Sequence, residues 1–236
     1  MVFLLSACNA VKFVPQGQYL LNDVKVKVED TKEVLGTDLM KYVQQKENTE
    51  ILGFWKLQLG IYNTASLDTA KWTSKNARKI GEAPVIFSED LVESSCTHLQ
   101  RAMHNKGYFR ATVDTATHAK DRKVNLQYII TANQPYTLRQ YTMVLPHSEL
   151  NNIAHNRRQS LVRPGMQYDA DVLNQERQRV ASAMRRRGYF YFNAEYLQFV
   201  ADSTRSTRQI DVEMRLQDYV KQMDEEQQDK IFRQYT

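Results

Sequence analysis

Cysteine is nearly missing from this 236-residue chain, which has only two, and its eight glycines and five prolines are few for its length. A disulfide-stapled scaffold, a collagen-like repeat and a low-complexity chain are therefore excluded. No apolar run approaches the roughly 18–20 residues that a helix needs to cross a bilayer, so any membrane link must be an anchor or a partner. Phosphate-binding glycine loops and a G-x-S-x-G nucleophile signature are also lacking. His98, His104, His118, His147 and His155 show neither the i, i+4 spacing of a helical metal site nor a neighbouring cysteine pair. The reading is of a non-enzyme without metal or cofactor. Charge of one sign does not dominate either: Lys and Arg number 32 against 27 Asp and Glu, a net +5 spread along the chain. Nucleic-acid binders concentrate basic residues on one face instead.

What is present is globular: 42% hydrophobic residues, including 13 Tyr, 9 Phe and 2 Trp, supply more burial than a disordered chain has. At roughly 100–150 residues per domain, the length allows one large or two modest domains.

The first cysteine, Cys8, follows Leu5-Ser6-Ala7 and the apolar Val2, Phe3 and Leu4. Small residues before a cysteine, preceded by an apolar stretch, read as the end of a bacterial lipoprotein signal, after which Cys8 would carry the lipid. The apolar stretch is shorter than a full signal and lacks a basic region, so Met1 is expected to be a late start. Residues 1–18 are then a signal remnant and tether. Cys96 falls in a helical pattern and reads as a small core residue.

The remainder is organised by self-similarity at an offset of 81 residues. Phe87 falls on Tyr168, Asp90 on Asp171, Ala102-Met103 on Ala183-Met184, and Gly107-Tyr108-Phe109 on Gly188-Tyr189-Phe190. Each copy predicts a helix with an acid in its first turn and apolar spacing thereafter, Leu91, Ser95, Leu99, Ala102 and Met103 matching Val172, Glu176, Val180, Ala183 and Met184. Gly107 and Gly188 stand where a left-handed C-cap is wanted. Arg185-Arg186-Arg187 place cations on a helix C-terminus, with an anionic-lipid contact as the sharper alternative. Each glycine is followed by a hairpin, which in the first copy includes the alternating Val124, Leu126, Tyr128 and Ile130. A strand and a short helix, Thr37 to Gln45 or Ser148 to Arg158, precede each long helix, giving β-α-α-β-β twice.

Residues 48–81 form an apolar insertion in the first copy, and its Phe54 and Trp55 are divided between core and partner face. Arg233-Gln234-Tyr235-Thr236 copies Arg139-Gln140-Tyr141-Thr142, so the chain is expected to end within the first strand of a further element. Residues 218–236 are accordingly a linker or terminal helix and that beginning.

Two β-α-α-β-β modules with Gly-Tyr-Phe in register resemble tandem POTRA domains, the periplasmic modules that precede the barrel of outer-membrane assembly proteins of the BamA and TamA type. Cys8, Tyr19-Leu20-Leu21-Asn22, and Asn48 to Gly53 with Tyr62-Asn63 are most similar to the TamA-like lipoprotein branch. The resemblance covers residues 19–217, as one module at 19–134 and a second at 135–217. It implies an α+β fold in which each module is a three-stranded mixed sheet with two helices packed on one face. It further implies a scaffold or chaperone-like arm, attached to the outer membrane, that binds partner or substrate chains by strand addition. The implied partners are the barrel of the same full-length protein, unfolded outer-membrane protein or a periplasmic subunit, and the lipid anchor, with no nucleic acid. No barrel strands follow in this sequence, which reads as an N-terminal fragment. The expected binding edges are Arg110 to Thr115 and, preferred for its aromatics, Tyr191 to Phe199, with Tyr191, Asn193, Glu195 and Leu197 named as edge residues. A free-standing RNA-binding module, suggested by α-β-β topology with basic helix residues, and a spacer lipoprotein are the alternatives; a lipidated Cys8 argues against the first.

Overall fold

The computed structural model describes residues 10–50, 56–65, 72–146, 148–154, 158–204 and 207–235. Cys8, Phe54 and Trp55 lie outside the described residues. The chain runs β1 (Leu20–Glu29), α1 (Gly36–Leu39), α2 (Leu57–Thr64), α3 (Trp72–Ile80), α4 (Glu89–Asn105), β2 (Thr112–Lys120), β3 (Lys123–Thr131), β4 (Thr137–Val144), α5 (Ser148–Ala154), α6 (Ala170–Arg186), β5 (Leu197–Thr204), β6 (Gln209–Leu216), α7 (Asp218–Lys221) and α8 (Glu225–Phe232). The fold is α+β, with two three-stranded mixed sheets ordered β1-β3-β2 and β4-β6-β5. In each sheet the first strand lies parallel to the third and the second antiparallel to it. Parallel strands cannot be joined by a tight turn, so helices must bridge the first strand to the rest.

The contacts divide the chain into two units, one reaching to Ala102 and including Ala111–Asn133, the other made of Met103–Arg110 and everything from Gln134 onward. In the first unit, Val124, Leu126, Tyr128 and Ile130 are buried in strict alternation, because β3 is the central strand with one face on the core. β2 and β3 meet at Asp121-Arg122, both left-handed at φ 49° and 59°, as a two-residue hairpin requires. The expected helix from Thr37 to Gln45 is only α1 followed by a 3-10 turn at Met40–Tyr42. Beyond Val43 the chain leaves the helix, and the side chains of Gln45 and Asn48 bond the chain from Ala83 to Ser88. The tether expected up to residue 18 is corrected from residue 10 onward. Val14 is buried with Leu20 and Leu59, and Lys12 Nζ donates to the carbonyls of Asn63 and Ala65 at the end of α2, where cations are favoured.

In the second unit, Leu150 and Ala154 of α5, Val180 and Met184 of α6, and Met214 and Leu216 of β6 form one core cluster. The tail, read as a linker or terminal helix, is helical: α7 and α8 belong to this unit, with Val220 and Ile231 in the same cluster. Asp169 caps α6, accepting from the N–H groups of Asp171 and Val172. Lys106 Nζ lies 3.0 Å from both Asp169 and Asp171.

Both Gly-Tyr-Phe elements close a Schellman motif. Gly107 and Gly188 have φ 86° and 96°, and their N–H groups donate three residues back, to His104 and Arg185. Tyr108 and Tyr189 donate five back, to Met103 and Met184. The carbonyl of Gly107 then accepts from Tyr136 N–H, and that of Gly188 from Tyr235 N–H, both at 2.9 Å. Tyr235 thus occupies the place of Tyr136, not of Tyr141 as the Arg-Gln-Tyr-Thr repetition suggested. A Cβ on Gly188 would fall 2.4 Å from the carbonyl oxygen of Tyr235. Gly188→Val is therefore expected to destabilise the second unit by about 2 kcal/mol, from a branched residue at positive φ and the displaced Tyr235. Urea unfolding of the two chains measures this, and a near-zero difference would refute the cap.

Candidate functional site

Among the described residues no group of three or more His, Cys, Asp or Glu could hold a metal ion, and no helix is long and apolar enough to cross a membrane. The candidate site is instead built from backbone, at the edges of the sheets.

The second sheet ends on one side at β5. Gln217 N–H donates to Tyr196 C=O, which makes these two a hydrogen-bonded antiparallel pair. Such pairs alternate with open ones, so Gln198, Val200 and Asp202 turn their N–H and C=O groups toward β6, while Leu197, Phe199, Ala201 and Ser203 turn theirs to the free edge. Arg177 Nη1 takes the outward carbonyl of Leu197 at 3.4 Å. Among the described residues, the outward backbone groups of Phe199 and Ala201 have no partner. Edge strands are commonly protected by Pro, Lys or a bulge. β5 reads Leu-Gln-Phe-Val-Ala-Asp-Ser-Thr and has none of these, with Asp202 as its one charge.

The expected edge residues are corrected by this geometry. Tyr191, Asn193 and Glu195 precede the strand; Ala194–Tyr196 form a 3-10 turn, and Asn193 caps it by accepting from Glu195 N–H. The alternation of aromatics there comes from turn packing, with Phe192 buried against Tyr196 and Phe232 and Tyr191 exposed against Tyr235. Leu197 begins β5, with its side chain fully buried. In the first sheet β2 is an edge strand and runs Thr112–Lys120, so the expected edge from Arg110 to Thr115 lies in it from Thr112 onward. Of the Gly-Tyr-Phe residues, Tyr108 and Tyr189 are buried, whereas Phe190 is 61% exposed. Phe109 packs between Tyr136 and Tyr168, with ring centroids 5.2 and 5.0 Å away.

The opposite edge, β4, borders a groove of about 480 Å³ whose other wall is the loop at residues 160 and 162–164. A fully buried carboxylate holds that loop. Glu176 of α6 accepts from Ser160 Oγ at 2.8 Å, Leu161 N–H at 3.0 Å, and Arg179 Nε and Nη2 at 2.8 and 2.9 Å. Arg179 Nη2 also donates to Ala154 C=O, the last residue of α5, at 3.0 Å. Burial by itself raises the Glu176 pKa, but the bonds from Arg179, Leu161 and Ser160, with the charge of Arg179, outweigh it and hold the carboxyl below the ordinary glutamate value. Sequence reasoning placed Glu176 on the apolar face of this helix, which was the one signal of an internal ion pair.

No family model matches this chain, and no curated protein sequence matches it. Among solved structures it is similar to the Haemophilus influenzae BamA POTRA3-5 crystal structure, with TM-score 0.43 and 13% identity, over 87% of this chain and 69% of that one. It is similar to Haemophilus ducreyi BamA lacking POTRA domains 1-3, at TM-score 0.41 and 14% identity, over 84% of this chain and 29% of that one. A third likeness is to POTRA1-2 of the periplasmic domain of Omp85 from Anabaena, at 0.35 and 10%, over 86% and 98%.

The depressed Glu176 pKa fixes the sign of an acid effect. A carboxylate held below its unfolded value contributes stability that is complete above that value, about 4.3 for glutamate, and is lost as pH falls through the folded pKa. Glu176→Gln is expected to cost about 3 kcal/mol at neutral pH, by leaving Arg179 buried without its anion. It should also flatten the acid limb of stability. Urea unfolding of both chains across a pH series checks this; an unchanged acid limb would refute the role.

Proposed function

We propose that this chain is a tandem-POTRA arm of an outer-membrane protein assembly or translocation machine, located in the periplasm, that binds extended chains by strand addition along β5. The two β-α-α-β-β modules with their paired Gly-Tyr-Phe caps support the POTRA reading. The observation that carries the binding mode is the outer edge of β5, where unpartnered N–H and C=O groups at Phe199 and Ala201 alternate as a ladder that another strand completes. Such a site needs neither metal nor nucleophile. Its proposed occupants are unfolded outer-membrane protein or a periplasmic partner subunit, handed on to the barrel of the same full-length protein. Cys8, as the lipidated residue of a TamA-like lipoprotein, would tie the arm to the membrane.

Ala201 and Val200 separate edge binding from sheet integrity. Ala201→Pro removes an outward donor without breaking a ladder bond, and should weaken binding of an extended barrel-strand peptide by about tenfold or more while circular dichroism stays unchanged. Val200→Pro removes a donor that faces β6 and should damage the sheet itself. Equal peptide binding by the wild type and Ala201→Pro would overturn the β5 site.

The anchor is tested separately. Expressed behind a complete secretion signal, the chain should take up labelled fatty acid and sediment with membranes, and Cys8→Ser should abolish both. An unlabelled, soluble product carrying Cys8 would refute the lipoprotein reading.

A further inference from the structure

The two edges of the second sheet differ in one respect that assigns β4 a site of its own. Because Asp211, Glu213 and Arg215 direct their backbone groups to β5, Ile210, Val212 and Met214 direct theirs to β4. In a parallel ladder the residue opposite such a donor and acceptor turns the other way, so Leu138, Tyr141 and Met143 face outward. Two flanking contacts agree with this register. Leu138 N–H donates to Met166 C=O at 2.8 Å and its C=O accepts from Gly165 N–H at 2.7 Å, so the chain itself already adds a short antiparallel segment to this edge. Two residues beyond Met143, Leu145 N–H donates to Asn151 Oδ1 at 3.0 Å and its C=O accepts from Asn151 Nδ2 at 2.7 Å. One side-chain amide there imitates a strand partner.

Between these two filled positions, Tyr141 and Met143 have no outer backbone partner among the described residues, and they open into the groove of about 480 Å³ beside residues 160–164. The first unit closes the matching place. Val26, which corresponds to Met143 counted from the bulge in each first strand, has Gly36 against its carbonyl so closely that a Cβ would fall 1.9 Å from that oxygen. The groove carries one charge, Arg163, which forms no ion pair among the described residues.

We propose that the β4 slot is a second peptide site, taking a short extended segment of about three residues that pairs with the backbone of Tyr141 and Met143 and sets an acidic side chain against Arg163. Alternating donors and acceptors at two-residue spacing are complementary to extended backbone, and the closed ends limit the segment to the gap. The slot is independent of the β5 reading and can stand or fall without it.

The test is amide NMR on the full chain, titrated with a synthetic Thr/Val-alternating peptide containing one Glu, its Lys counterpart, and an N-methylated form. The Tyr141 and Met143 amides should shift with the Glu peptide and not with the N-methylated one. Arg163→Glu, in an exposed loop position, should weaken the Glu peptide about tenfold and favour the Lys peptide. Unmoved Tyr141 and Met143 amides at saturating peptide overturn the slot, as does equal affinity of both peptides for the wild type and Arg163→Glu. Shifts confined to Phe199 and Ala201 would overturn the slot and leave the β5 site standing; shifts confined to Tyr141 and Met143 would do the reverse.

Discussion

A buried carboxylate organises the second unit. Glu176 stands on the helix face that a packed sheet would reserve for an apolar side chain, and it remains there charged because five donors surround it, the Tyr141 hydroxyl at 3.5 Å being the most distant. Without those bonds, burying the charge would cost several kcal/mol. With them, the end of α5, the loop at Ser160 to Val162 and the middle of α6 share one attachment point through Glu176 and Arg179. The first unit solves the same problem with a smaller group. Ser95, 81 residues earlier, is fully buried and accepts from Gln44 N–H at 3.0 Å while donating to Leu91 C=O. In each copy, one polar residue on the long helix takes the N–H of the incoming loop.

The duplication extends to contacts that side-chain similarity does not display. Leu20 bridges Ile86 and Thr137 bridges Gln167, again 81 residues on at the second partner, and both first strands are bulged at the following step. These are backbone constraints: a first strand fed into a parallel ladder must turn out of register with its approach, and the bulge absorbs the mismatch. Residues at such places are chosen for where they let the chain go, so the copies diverge in identity and agree in geometry.

Much of the architecture was legible because it rests on patterns that side chains carry. The alternation of Val124, Leu126, Tyr128 and Ile130 follows from a half-buried strand, and Gly107 and Gly188 mark positive φ at a helix end. The edge was harder to place. Tyr191 to Glu195 alternates like a strand, but Asn193 caps a turn, and the true strand carries a weak pattern because Leu197 is buried while Ala201 and Ser203, on the same face, are exposed. Nothing in composition reveals that Gln45, Asn48 and Asn151 serve as substitute backbone. Tyr235 was matched to Tyr141 by local wording, whereas its N–H follows the carbonyl of Gly188.

The outward N–H and C=O groups of Phe199 and Ala201 are common to every amino acid and therefore carry no information about the identity of an incoming chain. They distinguish something else. A folded polypeptide has already spent most of its own backbone donors and acceptors on internal structure, whereas an unfolded one has them available. On the proposed function, a surface made of bare backbone would read conformational state: blind to sequence, it would compete directly with its client's own folding and lose its hold as the client satisfied its hydrogen bonds elsewhere.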